Sequence, residues 1–268
     1  MNPMEKKLRA VLAAIDAPVV AVSGGVDSMT LAYLAHQEQG TVVYMVHAIS
    51  PAVPADATAR VRAHASRHGW RLETIDAGEF TDLDYRANPV NRCYFCKTNL
   101  YGEIAARFAG TILSGTNTDD LGDFRPGLKA AAEHGVRHPF VEAGLAKVDV
   151  RAQAQALDLH DLAELPAAPC LSSRVETGIR IDPADLALVD SVERQLRSTL
   201  GAADIRCRIT AHGVRIELSG DTLDHLLLPT RSYERSMIEA MIAEAGRSFL
   251  GYAPYRRGSA FLRDRHHA

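Results

Sequence analysis

The sequence predicts an α/β fold: a doubly wound parallel sheet followed by a smaller C-terminal α+β domain. Three observations predict it. Short continuous apolar runs stop at Gly, Ser or His instead of extending into helices, as strands buried on both faces do. Stretches of helical periodicity separate those runs, so β and α alternate over the first ~160 residues. Near Thr177-Gly178 the alternation gives way to a long amphipathic helix and a hairpin, placing a boundary between residues 1–176 and 177–268.

Val19-Val20-Ala21-Val22 reads as the first strand. Val26, Met29, Ala32, Tyr33 and His36 then fall at i, i+3, i+6, i+7 and i+10, a helix that stops at Gly40. Val42–Val46 is the second strand, Ala57–His68 a helix closed by Gly69, and Trp70–Ile75 the third strand. Leu100, Ile104 and Phe108 stripe a helix ahead of Gly110, Thr111–Leu113 follows as the fourth strand, and Val136–Phe140 is expected as a fifth. Beyond the boundary, Pro183 sits in the first turn of a helix running from Asp182 to about Leu200. Ile205–Thr210 and Val214–Leu218 flank a turn at His212-Gly213, and Tyr233–Ala245 is helical.

Composition narrows the function classes. Among 268 residues, 30 Lys and Arg face 33 Asp and Glu, a formal charge of −3, which argues against a nucleic-acid partner held by whole-surface attraction. With 47% hydrophobic and 24% charged residues the chain has an ordinary globular composition. No apolar run reaches the ~18–20 residues that cross a bilayer. Lys6-Lys7-Leu8-Arg9 and Ala10–Ile15 resemble the start of a signal peptide, but Asp16 and Pro18 cut the run short, so a surface helix in a cytoplasmic protein is expected. The ending Arg265-His266-His267-Ala268 is expected to be a frayed tail.

Ser23-Gly24-Gly25-Val26-Asp27-Ser28 lies where the first strand ends and the first helix begins, the position at which open α/β sheets bind ligands. Gly24 and Gly25 let backbone approach a phosphate, the helix N-terminus favours its negative charge, and Ser23 and Ser28 add hydroxyl donors. Asp27 supplies a carboxylate for Mg²⁺ beside a polyphosphate. The bland alternative is a tight turn with Ser and Asp as helix caps. A second cluster, Ser114-Gly115-Thr116-Asn117-Thr118-Asp119-Asp120-Leu121-Gly122-Asp123-Phe124-Arg125-Pro126-Gly127, follows the fourth strand at the same sheet edge. Asn117 and its carboxylates, Asp119 among them, are expected to reach the same crevice.

Four cysteines, Cys93, Cys96, Cys170 and Cys207, occur in a chain long enough to fold without disulfides, so metal or catalytic use is favoured over staples. Cys93-Tyr94-Phe95-Cys96-Lys97 opens a helix; a C-x-x-C there serves zinc, redox exchange or an iron–sulfur cluster equally well. Cys170 in Pro169-Cys170-Leu171-Ser172-Ser173-Arg174 adds a third thiol. Three thiolates would leave one iron of a [4Fe–4S] cluster without a protein ligand and able to hold a reactive sulfide. Cys207 reads as buried packing.

The first turn lacks the Walker lysine and resembles the SGG-x-DS motif of the N-type ATP pyrophosphatases, the PP-loop superfamily. Taken in order, SGGVDS, NRCYFCK, SGTNTDDLGDFRPG and PCLSSR, followed by a small C-terminal domain, resemble the LarE family, ATP-dependent sulfur transferases of nickel-pincer-nucleotide biosynthesis. The resemblance covers essentially the whole chain. It implies that ATP, with Mg²⁺, adenylates the carboxylates of pyridinium-3,5-biscarboxylic acid mononucleotide. Pyrophosphate leaves, and a sulfur nucleophile turns each acyl adenylate into a thiocarboxylate. In members that sacrifice it, the cysteine matching Cys170 is the sulfur donor and is left as dehydroalanine. Other members carry three cysteines and a [4Fe–4S] cluster whose extra sulfide is transferred. Cys93, Cys96 and Cys170 fit that kind, so they and Asp27 are the catalytic candidates, with sulfide from a separate donor.

The same resemblance implies roles for further residues. Lys97 and Arg125 meet ATP phosphates beside Ser23, Gly24, Gly25, Ser28, Gly115, Asn117 and Asp119. Arg174 follows the third cysteine into that space. Arg206 and Arg208 share one strand face, where two guanidiniums suit the phosphate or carboxylates of a mononucleotide; solvated edge-strand arginines are the alternative. Glu193 is a candidate to orient the substrate. A homo-oligomer is expected. Two other functions fit the sequence less well. A tRNA thiolase would need a basic patch with stacking aromatics, whereas aromatics are only 6% here. A noncatalytic nucleotide sensor leaves the cysteine trio unexplained.

Overall fold

The computed structural model describes residues 3–260 except Asp123, Ala168, Ala202, Ala203, Arg257 and Ser259. The tail at Arg265–Ala268 lies outside the described residues. The chain forms two compact units, Met1–Asp82 with Asn91–Ala168, and Leu83–Val90 with Pro169–Ala268.

The first unit begins with α1 (Pro3–Ala13), β1 (Pro18–Ala21), α2 (Val26–Gln39), β2 (Tyr44–Ala48), α3 (Ala55–His68) and β3 (Arg71–Ile75). A short helix, α4 (Leu83–Arg86), belongs to the second unit. The first unit resumes with α5 (Arg92–Arg107), β4 (Thr111–Leu113), α6 (Pro126–Glu133), α7 (Pro139–Ala143), α8 (Lys147–Ala156) and α9 (His160–Ala163).

The sheet order is β3-β2-β1-β4, every pair parallel, with Val19 flanked by Tyr44 and Ile112. Helices cover both faces, and alternation along the strands explains why. Val20, Met45 and Leu113 point into one core with residues of α1, α2 and α8, whereas Val19, Val46 and Ile112 point into another with Tyr101 and Ile104 of α5. The run Ser28 to Ala35 of α2 is buried throughout, so this helix is sheathed in protein rather than amphipathic. Because the chain crosses from β3 past β2 and β1 to β4, the order in which strands are added reverses between β1 and β4. Ligands of open α/β sheets bind at that point.

The expected fifth strand is absent from this sheet. Arg137 makes a single parallel bridge to Leu113, and Pro139 then opens α7. Proline fixes φ and lacks the N–H that a further ladder bond needs, so the extended run stops after one rung.

In the second unit, α10 (Pro183–Leu200) precedes β5 (Ile205–Thr210), β6 (Gly213–Leu218), α11 (Gly220–Leu227), α12 (Ser232–Glu244) and β7 (Phe249–Pro254). The Asp182 side chain caps α10 by accepting from the Ala184 N–H at 2.8 Å, Pro183 fills its first turn, and Gly201 ends it in the left-handed region. β5 and β6 pair antiparallel around Ala211-His212, and β7 joins β6 in parallel, giving a mixed sheet. Leu83–Val90 is tied in by polar bonds. Tyr85 meets the Ser172 hydroxyl at 2.7 Å, Asn88 donates to the Glu176 carbonyl at 2.9 Å, and its own carbonyl accepts from the Gly178 N–H at 2.9 Å.

Candidate functional site

At the end of β1 the chain turns through Ser23–Ser28 into α2. Ser28 Oγ accepts from the Ser23 N–H and bonds the Ser23 hydroxyl, both at 3.0 Å, and donates to the Gly25 carbonyl at 3.2 Å. Gly24 adopts φ +83°, and a Cβ there would stand 2.8 Å from the Ala57 carbonyl oxygen of α3. Only glycine satisfies both constraints. The first-turn N–H groups of α2 lack intrahelical acceptors, as at any helix N-terminus, the usual seat of a phosphate.

The turn is anchored from below by residues that the sequence reading did not single out. His47 donates from Nδ1 to the Val22 carbonyl at 2.7 Å and accepts at Nε2 from the Thr58 hydroxyl at 2.9 Å. Burial lowers its pKa, consistent with a neutral ring carrying its proton on Nδ1. Arg60 donates to the Gly24 carbonyl at 2.8 Å.

The loop after β4 meets this turn backbone to backbone. A Cβ on Gly115 would lie 2.7 Å from both the Asp27 carbonyl carbon and the Ser28 nitrogen. Asn117 donates to Asp27 Oδ1 at 3.3 Å, Asn117 Oδ1 accepts from the Asp119 N–H at 3.1 Å, and Asp120 accepts from the Asn117 N–H at 3.1 Å. Arg125 pairs with Asp120 at 2.7 Å. A second histidine underpins this loop: His138 Nδ1 bonds the Ser114 hydroxyl at 2.7 Å, and burial lowers its pKa too.

Lys147 completes the cluster. Its backbone N–H donates to Asp119 at 3.2 Å, and its ammonium forms an ion pair with Asp27 Oδ2. A lysine at the first position of a helix opposes the macrodipole, which favours acids there, but the sequence reading places no helix at Lys147, so this signal escaped it. Ser23, Gly24, Gly25, Asp27, Ser28, Gly115, Asn117 and Asp119 are thus gathered at one sheet edge. Lys97 lies on α5, its ammonium 5.6 Å from the Tyr101 ring centre, and α6 packs close enough that a Cβ on Gly127 would sit 3.0 Å from Lys97 Cγ.

Cys93 is exposed and Cys96 half-buried in the opening turns of α5. Among the described residues no group of three or more His, Cys, Asp or Glu is gathered to hold a metal ion. Nor is any described helix long and apolar enough to cross a membrane.

The second unit buries a layer of charge beneath the Cys170 turn. Arg174 forks onto Glu193 with two bonds of 2.9 Å and donates to the Pro169 carbonyl at 2.8 Å, which shapes the turn that carries half-buried Cys170. Glu193, with no exposed surface, also accepts from the Cys207 N–H at 3.0 Å and from Arg197 at 3.3 Å. Arg208 pairs with Glu217 at 2.9 Å and donates to the Ser173 carbonyl at 3.0 Å. Arg206 donates to the Ile205 carbonyl and stands 5.3 Å from the Tyr255 ring centre. Both arginines are only 6% exposed, so they are not solvated edge-strand cations. Among the described residues Arg174, Arg206 and Arg208 are buried here together with Glu193 and Glu217. Cys207 is fully buried, and burial pushes its thiol pKa well up.

The first unit is a Rossmann-like α/β body with its polar cluster at the sheet's switch point. No family model matches the chain. An uncharacterized protein of Synechocystis sp. is 35% identical over 226 residues, 83% of this chain and 84% of that protein. Another, of Methanocaldococcus jannaschii, is 27% identical over 76% of this chain and 78% of its own length. The pyridinium-3,5-bisthiocarboxylic acid mononucleotide synthase of Lactiplantibacillus plantarum is 31% identical over 204 residues, 74% of this chain and 73% of the synthase. The chain belongs to the family of that synthase, the LarE family.

Proposed function

We propose that this protein is an ATP-dependent sulfur transferase that converts the carboxylates of pyridinium-3,5-biscarboxylic acid mononucleotide into thiocarboxylates. One observation carries the reading: in a member of this family, two switch-point loops meet at Asp27 beside the N-terminus of α2. The glycine cradle and the carboxylate–amide pair fit Mg·ATP in kind.

In this reading Ser23, Gly24, Gly25 and Ser28 seat the β,γ-pyrophosphate end of ATP against α2, where dipole and N–H groups favour the anion. Asp27, with Asn117 and Asp119 beside it, offers oxygen ligands to Mg²⁺, which neutralises the phosphates. Lys97 and Arg125 add positive charge. The substrate carboxylate attacks the α-phosphorus, and the bond to pyrophosphate breaks. A sulfur nucleophile then attacks the acyl carbon, and AMP leaves with the electrons of the C–O bond. In the second unit Arg206, Arg208 and Arg174 receive the anionic groups of the mononucleotide, and Glu193 acts by orienting Arg174.

Cys93, Cys96 and Cys170 are the proposed thiolate ligands of a [4Fe–4S] cluster. The donor set fits in kind, since C-x-x-C at a helix start presents two thiols one turn apart. When bound, such a cluster supplies a sulfide at the iron those three cysteines leave free.

The test is pyrophosphate release from ATP dependent on the pyridinium dicarboxylate mononucleotide. Asp27→Asn should depress that yield while leaving the absorption of an anaerobically reconstituted cluster unchanged. An unaltered yield would remove Asp27 from the site.

A further inference from the structure

Asp27 uses both carboxylate oxygens. Oδ1 accepts from Asn117, and Oδ2 carries the Lys147 ammonium. Each side chain keeps access to water, with Asp27 27% and Lys147 34% exposed. The root of Lys147 is fixed, because its N–H is held by Asp119 and its neighbour Ala146 donates to Asp149 at 2.9 Å. The four-carbon stem beyond that root is flexible. The ammonium can therefore change partners while its base stays in place.

A divalent cation seated on Asp27 Oδ2 and an ammonium on the same oxygen exclude one another, by charge and by space. Resting on the nucleotide reading above, we infer that Lys147 and the metal of Mg·ATP take turns on Asp27. Lys147 neutralises Asp27 until Mg·ATP arrives. The arriving metal takes the carboxylate oxygen, and the ammonium transfers to the polyphosphate that came with the metal. Every charge keeps a partner before and after. Two consequences follow together: Lys147 binds nucleotide, and it protects Asp27 from bare divalent ions.

Those consequences have opposite signs, which a merely structural role would not produce. Purified protein is titrated with Mn²⁺ alone, read by the electron paramagnetic resonance of the free ion, and separately with Mg²⁺ plus α,β-methylene-ATP, read by calorimetry. Lys147→Gln should tighten bare Mn²⁺ binding about tenfold and weaken the nucleotide analogue about tenfold, the order expected from one charge pair in a partly exposed site. Lys147→Arg should stay near wild type in both, and Asp27→Asn added to Lys147→Gln should abolish the gain in Mn²⁺ affinity. Unchanged Mn²⁺ binding in Lys147→Gln, with the analogue still bound by wild type, overturns the exchange and leaves the nucleotide site standing. Failure of wild type to bind the analogue would remove both.

Discussion

Asn117 donates its side-chain amide to Asp27 Oδ1 at 3.3 Å, although ninety positions of sequence separate them. The bond ties the loop after β4 to the turn after β1 and aims the carboxylate. Asn117→Ala should weaken α,β-methylene-ATP binding about tenfold, since a hydrogen bond to a charged group contributes roughly 1.5–3 kcal/mol and this one is partly exposed. Global stability should fall by about 1–3 kcal/mol as well, because Asn117 is buried and its Oδ1 also accepts from the Asp119 N–H. Calorimetric titration alongside urea unfolding separates the two effects.

Close backbone approach makes a second contrast. Gly24→Ala and Gly115→Ala each place a methyl within 2.8 Å of backbone atoms that cannot step aside, and Gly24 adds a positive φ. Each should cost about 1–3 kcal/mol and most of the nucleotide affinity. Gly122→Ala, with nothing within 4 Å of the added methyl, is the control and should change neither. Equal behaviour of all three would show that the two loops do not depend on that contact.

Much of the first unit was legible because β1, β2 and β4 are largely continuous apolar runs, and such runs have few other uses in a chain of this composition. The edge strand β3, Arg71–Ile75, interleaves polar and apolar residues instead. The helix caps around α10 were legible for a similar reason: Asp182, Pro183 and Gly201 act locally. What escaped was non-local. Nothing in Leu83–Val90 announces that Tyr85 and Asn88 bond Ser172 and Glu176. β7 contains Gly251 and ends at Pro254, which mask a strand signal, and α11 is only eight residues long. The candidate site divides in the same way. Gly24 and Asp27 stand in a recognisable turn, whereas Lys147 reaches Asp27 from 120 positions away.

Two neutral imidazoles give the loops a pH dependence. Burial is the main cause that holds His47 and His138 below the ordinary 6.5, against the Val22 carbonyl for His47 and against Glu142 and Asp120 for His138. A histidine depressed in the folded state binds its proton more readily when unfolded. Its stabilising contribution is therefore complete above 6.5 and lost as pH falls through the depressed values. Melting temperature should hold from pH 8 to 7 and decline towards pH 5. His47→Asn, which keeps an N–H for the Val22 carbonyl, should decline less steeply. Identical slopes would acquit His47.

Glu193 illustrates what a buried pair costs when halved. Arg174 is 3% exposed and its partner not at all, so Glu193→Ala strands a guanidinium in the interior and also orphans the Cys207 N–H. A loss of about 3–5 kcal/mol is expected. Arg174→Met combined with Glu193→Leu should recover much of it, since removing both charges spares the desolvation penalty. Urea unfolding of wild type, Arg174→Met, Glu193→Leu and the double variant closes the cycle, and additive losses would show the two side chains to be energetically independent.

The four cysteines should separate by chemistry as well as by place. Native alkylation should label exposed Cys93 fastest and half-buried Cys96 and Cys170 more slowly, and it should spare Cys207, whose fully buried thiol resists ionisation. Bound iron and sulfide should protect the first three together, whereas Cys93→Ala should remove both the cluster absorption and the protection of Cys96 and Cys170. Intact mass after turnover then identifies the origin of the transferred sulfur. If sulfide is passed from a cluster, the polypeptide mass is unchanged. If Cys170 is consumed, its Cβ–S bond breaks by elimination and the chain loses the mass of H₂S at that residue, with dehydroalanine left behind. Normal thiocarboxylate formation by the Cys93→Ala protein, accompanied by that mass loss, would assign the sulfur to Cys170 and exclude the cluster.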